Sequence, residues 1–371
     1  IYGGIFLNPS GLKDIIAVNS NLSFIDGELG KLLYRGIDVK DLVHKSTFEE
    51  SIYLLWYGRL PKKDELQTFT LELCKERAIH NKILDNIKNI PHEASTISIL
   101  KSIIPTLPLF EPLNEDPIKQ GVKLVSKIPT IVAAIYRVKN KKEIIQPHKD
   151  LSYAENFVYM LKGKYDDIEA KAIETDFILH LDHELNASTF AARTTASTLS
   201  DLNSAISTGV NTLKGPLHGG ASEDVIKMIM DIECEEKTEE YITKKLHERQ
   251  KIPGFGHRVY KTIDPRAAIL KSIAIELCEK TNNKQIFNIQ EKIEAIMKQQ
   301  KRIYPNVDYY SATIYYSMNL DIELYIPIFV IGRMAGWVGH VLEQYDNNKL
   351  IRPRARYTGF KERKYTPINQ R

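Results

Sequence analysis

Between Lys251 and Ala267 the chain reads Lys-Ile-Pro-Gly-Phe-Gly-His-Arg-Val-Tyr-Lys-Thr-Ile-Asp-Pro-Arg-Ala. Gly254 and Gly256 flank Phe255, so the backbone can turn tightly there and His257 sits on a loop that a ligand can approach closely. Asp264 followed by Pro265 reads as a helix start, with the carboxylate as cap and proline in the first helical position. Arg266 then falls in the first turn, where the helix dipole disfavours a cation, so it needs either solvent or an anion to face.

Other residues of the same kind recur. His218 lies in Gly215-Pro216-Leu217-His218-Gly219-Gly220, a setting with little side-chain packing to justify an imidazole. His180, His183 and Glu184 fall at the end of a helix expected over 166–181, where histidines also suit the negative dipole end for structural reasons alone. Asp308 lies between Val307 and two tyrosines just before a helix, where it reads as a base, an N-cap or both. Arg333 sits in the apolar run Ile-Phe-Val-Ile-Gly-Arg-Met-Ala-Gly-Trp and would bury its charge unless an anion or carboxylate meets it. Arg352 opens a cationic extended segment that ends in Tyr357; the ordinary reading of that segment is a solvated tail. Taken together, one carboxylate, several loop or helix-end histidines and arginines in awkward places suit proton abstraction beside a carbonyl, followed by attack on a small polyanion. No Walker-type or dinucleotide glycine fingerprint occurs.

In their order along the chain, these motifs resemble the citrate synthase family: His180-Leu181-Asp182-His183-Glu184, Gly215 to Gly220, Gly254 to His257 with Asp264-Pro265-Arg266, Asn306-Val307-Asp308-Tyr309-Tyr310-Ser311, Gly332-Arg333 and Arg352-Pro353. The resemblance runs from about Leu22 to Arg352 and is to the compact form of the enzyme. It implies that Asp308 removes a methyl proton from acetyl-CoA, that His218 hydrogen-bonds the thioester oxygen, and that His257 protonates the carbonyl oxygen of oxaloacetate; citryl-CoA is then hydrolysed. It further implies that His183, Arg266 and Arg333 hold oxaloacetate, with Arg352 reaching in from the partner subunit of a homodimer. The loop Ile252, Pro253, Gly254, Phe255 and Gly256 would contact the adenine, Arg258 or Lys261 the CoA phosphates, and Asn186 and Ser188 would support the catalytic histidine. No metal and no permanently bound cofactor are implied; acetyl-CoA is a substrate. One departure is that Leu-Asn-Ala-Ser follows Glu184 where many members are glycine-rich, which bears on pocket shape.

Three alternatives remain at this level. A 2-methylcitrate synthase using propionyl-CoA would keep every residue named, since one methylene is worth only about 1 to 3 kcal/mol of discrimination. A metal-dependent hydrolase could use His180, Asp182, His183, His218, His257 and Asp308, although no helical His-Glu-x-x-His pattern is present. A catalytically silent homologue would serve as a binding protein, against which the complete residue set argues.

The elements that must position these residues are mostly helices. Asp26-Gly27 signals a hairpin within 22–37. Ser46 with Glu49 forms a capping-box pattern before a helix that should stop near Gly58 and Pro61. Beyond Lys62, helical periodicity dominates (Leu66, Phe69, Leu73; Ile83, Ile87, Ile90). Pro129 should kink or restart a helix over 122–138, Lys139 to Lys149 reads as a polar connector, and 166–181 reads as amphipathic. The small residues of 186–207 permit close helix or subunit contact. Gly219-Gly220 suits a hinge into a smaller lobe with helices from about Glu223, Glu239, Pro265 and Gln285. Gly332, Gly336 and Gly339 in the last long helix, about 326–344, predict close packing as compensation for their propensity cost of about 1 kcal/mol each. The expectation is therefore an all-α, two-domain fold with a small N-terminal hairpin region, the large domain spanning 1–219 and 313–371 and the small one 220–312.

With 371 residues and a formal net charge of +4, the chain is large enough for two lobes and too mildly basic for a nucleic-acid stripe. Cys74, Cys234 and Cys278 are far apart in sequence and read as free thiols of a reducing compartment. The N-terminal residues show no leader pattern and no apolar run of about 18 residues lacks a charge, which predicts a soluble, cytoplasmic protein without membrane partners. Abundant Lys, Glu and Ile would suit a thermophilic source.

Overall fold

The computed structural model describes residues 11–12, 15–91, 93–110 and 116–371; the stretch from Ile1 to Pro9, read above for a leader, lies outside them. The chain is 62% helical, with sixteen α-helices and one small sheet among the described residues, so the all-α expectation holds.

The sheet is a meander of β1 (Ser23–Asp26), β2 (Lys31–Tyr34) and β3 (Ile37–Asp38), with Ser23 opposite Tyr34 and Tyr34 opposite Ile37. Asp26 makes the first turn by accepting from the backbone N–H groups of Glu28 and Leu29, but the left-handed residue there is Gly30 rather than Gly27. Gly27 is needed for another reason: a Cβ on it would stand 2.3 Å from the carbonyl oxygen of Val259. The hairpin tip is thereby laid against the loop that carries His257.

The helices follow: α1 (Val39–Lys45), α2 (Phe48–Tyr57), α3 (Lys63–Lys75), α4 (Asn81–Lys88), α5 (Thr96–Ile103), α6 (Pro117–Lys139), α7 (Tyr153–Lys162), α8 (Asp167–His180), α9 (Ala187–Ala196), α10 (Leu202–Leu213), α11 (Ala221–Ile232), α12 (Thr238–His247), α13 (Pro265–Lys280), α14 (Lys284–Lys301), α15 (Val307–Ser317) and α16 (Tyr325–Asp346). Three local expectations shift. The cap of α2 is Thr47, whose Oγ1 accepts from Glu50 N–H, because Ser46 is already used to close α1; Glu49 instead points inward to accept from Tyr153 N–H. Helix α6 runs unbroken through Pro129. The carbonyl of Val125, which loses its helical partner there, accepts from the Tyr153 hydroxyl at 2.7 Å, and that replacement bond makes the proline tolerable. Helix α8 is not amphipathic: its last two turns, Thr175 to His180, are buried throughout.

At the centre lies α16, packed against α2, α5, α6, α8, α9 and α10. It is the one described helix long and apolar enough to cross a membrane, yet 89% of its apolar window is buried inside the protein, as in a core helix. Its glycines answer the expectation of close packing. A Cβ at Gly336 would fall 2.0 Å from the carbonyl oxygen of Leu181, and one at Gly332 3.0 Å from His180 Cβ. Helices α11 to α15 pack mainly on one another, with α13 also meeting α8 and α1. Helix α15 is continuous across 312/313, where a boundary was expected.

Gly336→Ala is expected to destabilise the fold by about 1 to 3 kcal/mol through overpacking against the end of α8. Gly339→Ala, whose Cβ would meet only ordinary contacts from 3.4 Å outward, should be neutral or stabilising. Urea unfolding of both variants checks this; equal effects would refute the close-approach argument.

Candidate active site

One asparagine sets the relation between the His257 loop and Asp308. Asn306 donates its backbone N–H to Gly254 O (2.9 Å) and its side-chain amide to Gly256 O (3.1 Å), while its Oδ1 accepts from Asp308 N–H (3.1 Å) and so caps α15. Asn306 is thus the N-cap, and Asp308 sits in the first turn with its carboxylate free of hydrogen bonds to any described residue. Gly254 (φ +77°) and Gly256 (φ +81°) are left-handed, and a Cβ at Gly254 would meet Tyr309 at 2.6 Å and Val225 at 2.7 Å, so only glycine fits.

The hydrogen bonds also assign the imidazole protons. His257 Nδ1 accepts from the N–H groups of Val259 (3.0 Å) and Tyr260 (3.2 Å), so its proton is on Nε2, which is left as a donor. His218 Nε2 lies 3.3 Å from Ser188 N and 2.8 Å from Ser188 Oγ. The backbone N–H can only donate, which makes Nε2 an acceptor and leaves the proton on Nδ1. Ser188 is held in turn by Trp337 Nε1 (3.1 Å) and Asn186 Oδ1 (2.8 Å), so Ser188 contacts His218 directly and Asn186 acts only through Ser188. His183 Nε2 pairs with the Tyr260 hydroxyl at 3.2 Å, and its ring centroid lies 5.0 Å from that of His257.

Positive charge is concentrated here with little to balance it. Arg333 is 2% exposed, donates Nε–H to His180 O, and lies over the Phe329 ring at 4.9 Å; no described carboxylate is in contact with it. Burial lowers it to about 10, with Arg266 pushing the same way. Arg266, 3% exposed, finds its anion inside the protein: Asp264 accepts from Nε (3.0 Å) and Nη2 (2.8 Å) besides capping α13. Burial and then the neighbouring arginines depress the histidines, His218 and His257 to about 4 and His183 well below its ordinary value. Burial raises Asp308 above the usual carboxylate range. At neutral pH the site therefore offers neutral imidazole donors, one largely desolvated carboxyl group and two guanidiniums.

Behind His183 stands a buried chain. Asp182 accepts from Ser23 Oγ (2.5 Å) and from His340 Nε2 (3.1 Å), and His340 Nδ1 receives a bond from Arg193. Burial alone would raise Asp182, but His340, Arg333 and Ser23 hold it below its ordinary value. Asp182 is thus committed to Ser23 and His340 rather than open to a metal. Among the described residues no group of His, Cys, Asp or Glu is arranged to hold a metal.

Of the remaining expected residues, Ile252 is buried, Pro253 and Phe255 are partly buried beside the His257 loop, and Arg258 is exposed. Lys261 is exposed and paired with Glu28 of the hairpin tip. Arg352 is exposed on the C-terminal segment, which is anchored just before it by Ile351 N–H to Ser197 Oγ (3.0 Å). Sequence reasoning missed Tyr260 and the anchoring half of Asp264's role. The cap signal at Asp264 was the one available hint; Tyr260 carries none.

Such a site, in a helical fold around a glycine-bearing core helix, defines an enzyme that enolises one substrate and adds it to a carboxylate-rich second one. Comparison with known proteins agrees. Residues 11–354 match the family model "Citrate synthase, C-terminal domain". Citrate synthase 2 of Bacillus subtilis is 44% identical over 97% of this chain and 98% of its own. The crystal structure of citrate synthase from Thermotoga maritima superposes with a TM-score of 0.90 at 41% identity, covering 98% and 99% of the two chains. The ternary complex of carboxymethyl coenzyme A and oxaloacetate with citrate synthase from Thermoplasma acidophilum gives 0.93 at 34%, covering 97% and 98%. The chain belongs to the citrate synthase family and is a transferase of that kind.

Linkage gives these shifts a stability consequence. Between about pH 6.5 and 4 the unfolded chain protonates His218 and His257 while the folded site does not, so the unfolded state binds more protons and stability falls as pH falls. Each contributes roughly 2 to 3 kcal/mol over that window; raised Asp308 acts in the opposite sense. Urea unfolding of ligand-free protein at pH 7 and 4.5 should show the loss, and His218→Asn/His257→Asn should flatten it. An unchanged slope in the double variant would sink the assignment.

Proposed function

We propose that Asp308, His218 and His257 carry the citrate synthase reaction in this protein. Asp308 takes a methyl proton from acetyl-CoA; the electron pair moves onto the thioester oxygen, where His218 Nδ1–H donates a hydrogen bond. The enol carbon attacks the keto carbon of oxaloacetate while His257 Nε2–H delivers its proton to the keto oxygen. Water then cleaves citryl-CoA to citrate and CoA. Neutral imidazoles suit this chemistry, since each acts as a donor matched to an oxygen on which charge develops only during reaction.

The observation that carries the reading is the buried, carboxylate-free Arg333 beside Arg266, His183 and His257. A dianionic substrate supplies the missing negative charge, and planar guanidiniums match its carboxylates two bonds at a time. We infer further that Arg352 completes this set from the partner of a homodimer, that residues 252–256 receive the adenine with Arg258 or Lys261 near the phosphates, and that 220–312 form the smaller lobe, hinged at Gly219-Gly220. Lobe closure would keep water from the enol. A cytoplasmic setting suits three unpaired cysteines. Nothing in the site favours propionyl-CoA over acetyl-CoA.

The test is release of CoA thiol from oxaloacetate with acetyl-CoA beside propionyl-CoA. Acetyl-CoA is expected to be the better substrate, and Asp308→Ala to lower kcat by about 100- to 10,000-fold. Faster propionyl turnover would make the enzyme a 2-methylcitrate synthase, and full activity in Asp308→Ala would overturn the role of the base.

A further inference from the structure

His180 is 1% exposed, and its Nε2 is buried without a hydrogen-bond partner among the described residues. A buried polar atom left unpaired is destabilising, so its persistence asks for a reason. The other nitrogen explains the tautomer: Nδ1 lies 2.9 Å from the carbonyl oxygen of Asp176, which can only accept, so the proton is on Nδ1 and Nε2 keeps a lone pair.

The packing of α8 on α15 shows what that lone pair serves. Asp176 accepts from Ser311 Oγ (2.8 Å) and from the Tyr315 hydroxyl (2.6 Å). Ser311 and Tyr315 lie three and seven residues after Asp308 and so share its helical face. One turn along α8 from Asp176 stands His180; one turn along α15 from Ser311 stands Asp308. With Nδ1 taken up by Asp176, Nε2 is the ring nitrogen left for a neighbour on α15. His180 is near enough to Asp308 to act electrostatically on its carboxyl.

We propose that His180 is a positioning residue for the base, its Nε2 accepting a hydrogen bond from Asp308 once Asp308 carries the proton taken from acetyl-CoA. This rests on the assignment of Asp308 as base. Before reaction the Asp308 carboxylate is an acceptor facing an acceptor, and no bond forms between them. As the methyl C–H bond breaks, the proton passes to a carboxylate oxygen and the electron pair to the enol; the carboxyl is now a donor, and the proton on His180 Nδ1 stays where it was. The bond exists only on the far side of proton transfer, so it lowers the barrier without tightening substrate binding. The titratable and charged groups around His180 are Asp176 on its own helix, with Oδ1 3.3 Å from Nδ1, His183 just beyond the helix end, Asp308 on α15, and Arg333 on α16, which is bonded to the His180 carbonyl.

The experiment compares wild type, His180→Leu and His180→Gln, with Asp308→Ala as the control for the base itself. His180→Leu should lose about tenfold or more in kcat, with KM for oxaloacetate unchanged. Its isotope effect with methyl-deuterated acetyl-CoA should rise, and the acidic limb of its kcat–pH profile should move to lower pH. His180→Gln, which keeps an acceptor, should recover part of the rate; if the leucine variant does not fold, the glutamine variant alone must still show the same direction of limb shift. An unchanged isotope effect, a raised KM for oxaloacetate with normal kcat, or a limb moved to higher pH, as a cationic His180 would give, overturns the proposal. Activity surviving in Asp308→Ala would instead remove the base assignment on which it stands.

Discussion

Everything at the site depends on how closely α16 approaches the end of α8. Gly336 lets the Leu181 carbonyl sit where a Cβ would otherwise be, and Gly332 does the same for His180. That contact puts Arg333 under the last turn of α8, bonded to the His180 carbonyl, and puts His340 within reach of Asp182. The turn after α8 is then pinned from two sides, by Ser23 of the hairpin and His340 of the core helix, with His183 as its next residue. Arg333 and His183, the two groups proposed to meet oxaloacetate here, therefore owe their placement to one steric permission.

The second constraint is electrostatic. Burial first, and then two buried guanidiniums of which only Arg266 is paired with a carboxylate, keep the site's histidines neutral. Neutrality also fixes the tautomers, since backbone N–H groups hold one ring nitrogen of His218 and of His257 as acceptors and leave the opposite nitrogen of each as a donor. A fixed tautomer is a donor that needs no reorganisation when oxygen becomes negative.

Much of this was legible in the chain. The glycine-framed histidines, the Asp264-Pro265-Arg266 start and the glycines of α16 each carry a local physical signature, and the structure realises all three. What could not be read was pairing across distance. Nothing near Arg266 says that its anion is the capping Asp264 itself; nothing near Pro129 says that Tyr153 will replace its lost hydrogen bond. Capping assignments slipped by one or two residues, from Thr47 to Ser46 and from Asn306 to Asp308, because adjacent polar residues offer similar caps and only the neighbouring helix end decides between them. Helix α8 looked half-exposed because Glu169, Lys171 and Glu174 mark its early turns; its burial comes from α16, over 150 positions away in sequence (His180 to Arg333).

The proposed acid and base belong to one group of residues and the proposed enol stabiliser to another. His257 and Asp308 are tied together through Asn306, which bonds the loop before the first and caps the helix beneath the second. His218 is instead held by Ser188 at the start of α9, itself fixed by Trp337 of α16. Relative motion of the two groups would change the distance from Asp308 to His218 while leaving that from Asp308 to His257 almost untouched. On the proposed roles, proton abstraction, which needs Asp308 and His218 on the same acetyl group, is thus the step most sensitive to how the two sides meet, and carbon–carbon bond formation inherits a geometry already set by Asn306.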